Sequence, residues 1–121
     1  MPIRSLNSPV LKWPDRVTVD RAVRAWAAQR AEEHPDLLRL GYFGSYARGD
    51  WGVGSDVDLV AVILRSDAPF EQRSPSWDTS TLPVPAEILV YTDSEWRAKR
   101  TETTRFAKML TEETRWVYQR M

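Results

Sequence analysis

Ser55-Asp56-Val57-Asp58-Leu59-Val60-Ala61-Val62-Ile63-Leu64 is the stretch that sets the fold. From Val57 onward it is rich in β-branched residues and apolar almost without a break, the pattern of an interior strand covered on both faces. Asp58 is the only charge inside that apolar run. Because side chains alternate along a strand, residues i and i+2 point the same way, so Asp56 and Asp58 present two carboxylates side by side at the strand entrance. Unpaired carboxylates that close repel each other. A divalent cation relieves the repulsion, and an all-oxygen donor set suits Mg²⁺ or Mn²⁺ better than a softer metal.

Immediately upstream, Leu37 to Phe43 reads as a strand running into Gly44, and residues 45–50 as a short helix, with Gly49, Gly52 and Gly54 breaking the chain before Asp56. A strand-to-helix junction at Gly44-Ser45 offers backbone N–H groups to a phosphate, the glycine allows close approach, and Ser45 adds a hydroxyl donor. A phosphate cradle beside a metal-binding carboxylate pair is what phosphoryl or nucleotidyl transfer requires. Downstream, Glu87 is the one charge within Pro85-Ala86-Glu87-Ile88-Leu89-Val90. It is a third carboxylate that could ligate a second metal or take a proton from the acceptor. Each candidate also has a structural alternative: Asp56 as a turn cap, Gly44 as a tight turn, Glu87 as a solubilising charge on a sheet edge, Arg48 as a surface charge, and Trp51 as a core or lid residue.

The rest of the chain supplies the scaffold. Residues 1–17 read as an extended arm, and residues 18–121 as one domain. Thr18 is the expected N-cap of a helix whose apolar stripe is Val19, Val23, Trp26, Ala27 and Arg30, ending before Pro35 with His34 as a solvated or C-capping residue. Residues 65–83 hold Pro69, Pro75 and Pro83 and form a long connection with a helical turn near Phe70 to Arg73. Ala86 to Thr92 is a third strand. Thr92 or Asp93 then caps a helix carrying Trp96, a further helix carries Phe106, Met109 and Leu110, and Trp116-Val117-Tyr118 is a last strand or helical turn. Trp26, Trp96 and Trp116 belong to the core. The order predicts an α/β (α+β) domain, a small mixed β-sheet flanked by helices.

Composition narrows the function. With 121 residues, 17 basic and 17 acidic, the chain carries no net charge to draw it onto duplex nucleic acid or an anionic membrane. Absence of cysteine and a single histidine exclude thiolate and His-rich metal centres. No apolar stretch reaches the roughly 18 residues of a membrane span, which predicts a cytoplasmic protein.

Gly44-Ser45-Tyr46-Ala47-Arg48-Gly49 followed by Gly54-Ser55-Asp56-Val57-Asp58-Leu59-Val60 resembles the paired motifs of the DNA polymerase β-like nucleotidyltransferase superfamily, in order and spacing. Size and the Pro83 to Thr92 segment make residues 18–118 similar to its stand-alone minimal nucleotidyltransferases. The resemblance implies that Gly44 and Ser45, with Arg48, hold the triphosphate of an incoming nucleotide, ATP by analogy, and that Asp56 and Asp58 bind two Mg²⁺ ions. The third carboxylate in that group is usually an aspartate, and here the matching position is Glu87. The resemblance further implies a HEPN-domain toxin as partner, with the nucleotidyltransferase as antitoxin, in some cases adding AMP to a tyrosine; homodimerisation is the other way to complete acceptor binding. Two other classes compete: a non-catalytic antitoxin or binding module that occludes a partner, and a metal-dependent phosphohydrolase. An intact carboxylate pair gains nothing for pure binding, and the extra His or Asp ligands of two-metal hydrolases are missing.

Overall fold

The stripe Val19, Val23, Trp26, Ala27 and Arg30 is the buried face of the first helix in a computed structural model of the protein, which describes residues 13–120. This helix, α1 (Arg16–Glu33), begins earlier than the sequence predicts. Asp15, not Thr18, is the N-cap, and its carboxylate accepts from the Thr18 N–H at 2.9 Å. Aspartate outranks threonine as a cap, so the helix starts three residues upstream and takes in Arg16 and Val17, read as arm. Residues 1–12 of that arm lie outside the described residues. His34 is the C-cap, as expected, but its ring is not simply solvated: it stacks on Trp77 at 3.9 Å between centroids.

Four strands follow the predicted pattern: β1 (Leu37–Phe43), β2 (Val57–Ile63), β3 (Ala86–Thr92) and β4 (Arg115–Gln119). They form one mixed sheet in the order β3-β2-β1-β4, with β1 antiparallel to β2 and β4, and β2 parallel to β3. The apolar run from Val57 therefore occupies an interior position, and the open choice at Trp116 to Tyr118 resolves to a strand. Side-chain alternation splits the core in two. Val57, Leu59 and Ala61 face α1 together with Leu40, Tyr42 and Trp77, whereas Val60 and Val62 face Tyr91, Trp96 and Leu110. The second layer is roofed by α3 (Asp93–Thr101) and α4 (Arg105–Glu113). Trp26 and Trp96 are buried as expected, while Trp116 is half-buried and packs edge-on against Trp96.

The connection between the parallel strands, residues 64–85, carries single 3₁₀ turns at Phe70–Gln72 and Ser74–Ser76. Arg73 pins it to the sheet. Its buried guanidinium donates to the carbonyls of Ala68 and Val90, at 2.9 and 3.0 Å, and forms a bidentate pair with Glu95, at 2.6 and 3.1 Å. Glu95 also accepts from the Thr92 N–H at 2.8 Å and completes a capping box on α3. One carboxylate thus ties together the connection, the outer strand β3 and a helix start, in the strongest hydrogen-bond geometry available to an arginine.

Arg73 holds the Glu95 carboxyl down to about 2, from an ordinary 4.5. A depressed carboxylate contributes stability that is present above the unfolded value and is lost as pH falls through the folded one. Thermal unfolding followed between pH 7 and 2 should therefore show a loss of stability from about pH 4.5 downward. Glu95→Gln should lower the melting temperature at pH 7 and flatten that loss; an unchanged acid profile would show that the link contributes nothing.

Candidate active site

Strand register builds the site. Phe43 at the end of β1 lies opposite Asp58 in β2, and Asp58 lies opposite Glu87 in β3, so Phe43, Asp58 and Glu87 form one row across three strands. Gly44 follows Phe43 and is thereby carried against the Asp58 side chain. Its φ of +77° is one that L side chains rarely adopt, and a Cβ there would run into the Asp58 carboxylate and sit 3.4 Å from its Cγ. Gly44 thus satisfies both readings: the turn needs its dihedrals, and the carboxylate needs its missing side chain.

The helix after it, α2 (Ser45–Arg48), is a single turn. It stops short of the predicted Asp50 because Gly49 adopts the left-handed conformation, with its N–H on the Ser45 carbonyl. One turn has little macrodipole, so what the junction offers a phosphate is its backbone N–H groups and the half-buried Ser45 hydroxyl. Between Gly49 and Asp56 the chain turns on Ser55, whose Oγ accepts from the Gly52 N–H at 2.8 Å. Ser55, not Asp56, closes that turn, and Asp56 is left exposed.

Asp58 is half-buried and its carboxyl is pushed above the usual carboxylate range, first by burial, then by Glu87, then by Asp56, with Arg48 partly offsetting them. Charges on Asp56 and Glu87 both reach Asp58, and all three carboxylates lie at one end of the sheet. Among the described residues, however, no three Asp, Glu, His or Cys side chains are drawn together closely enough to hold a metal ion. The structure gathers an acidic row and not a finished cage. That donor set still fits Mg²⁺, which usually takes one or two carboxylates and completes its shell with water and phosphate oxygens. Arg48 stands beside the row, exposed and paired with Asp50 at 3.1 Å and Glu113 at 3.7 Å.

Alongside the row opens a cavity of about 570 Å³ whose walls include Asp58, Glu87, Phe43, Phe106, Trp77 and Thr79. Phe106 packs edge-on against Phe43 at 6.2 Å and remains 42% exposed, so it forms a wall as well as a core contact. No motif in the sequence singles out Phe43, Trp77, Thr79 or Phe106 for the site. Phe106 is read there only as part of the apolar face of α4. Trp51, by contrast, stacks on Tyr46 at 5.6 Å, in keeping with a core or lid residue.

A family model for the nucleotidyltransferase domain matches residues 26–117, and the chain belongs to that family. Its fold is also that of a candidate nucleotidyltransferase from Sulfolobus solfataricus, with 18% identity, 87% of this chain and 84% of that chain covered, and a TM-score of 0.63. A chain of a toxin–antitoxin structure containing AMP-PNP is similar over 80% of this chain and 73% of its own, with 14% identity and a TM-score of 0.53. A chain of the toxin–antitoxin pair MntA-HpeT, in a variant with two aspartates changed to glutamate, gives 12% identity, the same coverage and a TM-score of 0.55. At these identities the solved structures establish the fold. No curated protein matches the chain.

Two substitutions separate the site from the scaffold. Asp58→Asn relieves burial and repulsion of a charge whose raised pKa makes the ionised form a liability at pH 7, so in EDTA the variant should melt at or above the parent temperature. Gly44→Ala forces a strained φ and a clash with the same carboxylate, and should lose about 1–3 kcal/mol. Calorimetric melting in EDTA checks both, and a marked drop for Asp58→Asn would make Asp58 a structural strut.

Proposed function

We propose that this chain is a Mg²⁺-dependent nucleotidyltransferase that moves a nucleoside monophosphate, AMP from ATP, onto a hydroxyl of a protein or RNA acceptor. The observation that carries the reading is that Gly44 leaves no room for a Cβ beside the Asp58 carboxylate, which supports a phosphate-binding loop and an acidic row as two sides of one site. Membership of the nucleotidyltransferase-domain family supports it.

In this reading the Gly44-Ser45 backbone and the Ser45 hydroxyl hold the triphosphate, and Arg48 lends positive charge at its edge once it leaves Asp50 or Glu113. Asp56 and Asp58, with Glu87 toward a second ion, would hold Mg²⁺ or Mn²⁺, which neutralises the triphosphate and the departing pyrophosphate. An acceptor hydroxyl in the cavity beside Asp58 attacks the α-phosphorus, forming the new O–P bond as the bond to the β-phosphate oxygen breaks. Glu87, exposed on β3 in the cavity wall, would take the hydroxyl proton when it is not itself engaged by metal. A purely occluding binding module gains nothing from a half-buried carboxylate pressed by two others, which favours the catalytic reading.

For biological setting we propose an antitoxin role with a HEPN-type toxin as partner, or a homodimer; the toxin–antitoxin chains among the structural neighbours support the former. The proposed location is cytoplasmic; no described helix is long and apolar enough to cross a membrane.

Calorimetry should show ATP binding much more tightly with Mg²⁺ present than in EDTA, since metal and triphosphate share one site. Incubation with a lysate or a co-encoded partner should transfer label from [α-³²P]ATP and not from [γ-³²P]ATP, with a mass gain of one nucleotide on the acceptor. Metal-independent ATP affinity, or transfer of the γ label, would reject the reading.

A further inference from the structure

Residues 13–16 are distant in sequence from the site yet meet both of its halves. The Trp13 indole Nε1 donates to the carbonyl of Ser55 at 3.2 Å, the residue just before Asp56. The Pro14 carbonyl accepts from the hydroxyl of Tyr46 at 2.8 Å, and Tyr46 is the fully buried residue that follows Ser45. Arg16 Nη1 reaches the carbonyl of Ala47 at 3.3 Å. Asp15, between these contacts, caps α1 and anchors the segment to the longest helix. The Trp13 ring packs against the core, as does Trp51, which stacks on Tyr46.

The two aspartates are held by different means. Asp58 lies inside β2, flanked by β1 and β3 and backed by Gly44. Asp56 precedes the strand and its side chain is exposed, so its place is fixed only through its neighbours. On one side the Val57 N–H donates to the Pro85 carbonyl at 2.9 Å. On the other, Ser55 is held by its turn with Gly52 and by Trp13. From this geometry we infer that residues 13–16 are a positioning clasp that sets the distance between the Gly44-Ser45 loop and the Asp56 loop, with Trp13 as the positioning residue for Asp56. The use of that distance, simultaneous capture of metal and triphosphate, rests on the proposed function; the clasp itself does not.

Trp13→Phe keeps the ring and removes the N–H. A matched control exists in Trp26, whose indole N–H donates to the Asp78 carbonyl at 2.7 Å. Trp26→Phe removes the same kind of bond without touching either loop. Two readouts are compared on the intact chain. In metal-free protein, amide hydrogen exchange over residues 52–57 should speed up about 2- to 10-fold in Trp13→Phe, the loss expected of one hydrogen bond, and stay at the parent rate in Trp26→Phe. Mn²⁺ affinity in the presence of ATP, read by electron paramagnetic resonance, should fall by a similar factor in the first variant only. Tyr46→Phe, which releases the Pro14 anchor, should shift both readouts in the direction of Trp13→Phe. Unchanged exchange in Trp13→Phe, or equal changes in Trp13→Phe and Trp26→Phe, would overturn the clasp. If the parent protein binds no Mn²⁺ with ATP, the proposed function fails, and the exchange comparison still decides the clasp.

Discussion

The close approach of the Gly44 backbone to the Asp58 carboxylate is the constraint on which the rest of the site depends. It exists because β1 and β2 pair with Phe43 opposite Asp58, so the turn leaving β1 must pass over the one charged residue in β2. Any residue larger than glycine would be strained at this φ and would run into the Asp58 carboxylate, so the turn could not keep its place beside the acidic row. Register, turn conformation and the missing side chain are therefore one requirement stated at three levels. The parallel pairing of β2 with β3 then sets Glu87 beside Asp58 without further machinery.

Holding a half-buried carboxylate among others costs stability, and the fold offsets this away from the site. The two apolar layers on either side of β2 supply most of the driving force, with Leu59 and Ala61 buried on one face and Val60 and Val62 on the other. Strand β3 lies at the sheet margin, where an unpaired edge is a hazard, and Arg73 covers one of its carbonyls while engaging Glu95. This arrangement fixes the long connection that forms one wall of the cavity, through Trp77 and its stack on His34. The charges that would destabilise the molecule are concentrated at the end of the sheet where a cation would use them, the usual trade between stability and function.

Elements with strong local periodicity were legible in the sequence. The stripe of α1, the strands at Leu37–Phe43 and Ala86–Thr92, and a helix cap at Thr92 or Asp93 each follow from residue spacing within one element, whereas the capping box that Glu95 completes on Thr92 was not foreseen. Asp56, Asp58 and Gly44 were legible as a group because the strand and the turn that carry them are close in sequence. Features joining distant segments were not. The Arg73–Glu95 link spans 22 residues, the Trp13–Ser55 bond 42 and the Arg115–Ala47 bond 68, and no local pattern announces them. Glu87 could be named as a charge in an apolar strand, but its position beside Asp58 depends on a parallel register set by a connection without periodicity. The Asp15 cap was missed for a simpler reason: two acceptable caps lie three residues apart, and the stronger one starts the helix.

Anomalous diffraction at the manganese edge, from crystals grown with Mn²⁺ and a non-hydrolysable ATP analogue, tests the central claim most directly. A shared site predicts a manganese peak between the Asp56 and Asp58 carboxylates, with triphosphate oxygens on that ion and on the backbone N–H groups after Gly44. A triphosphate bound over Gly44-Ser45 with no metal at the aspartates, or manganese bound elsewhere, would contradict it.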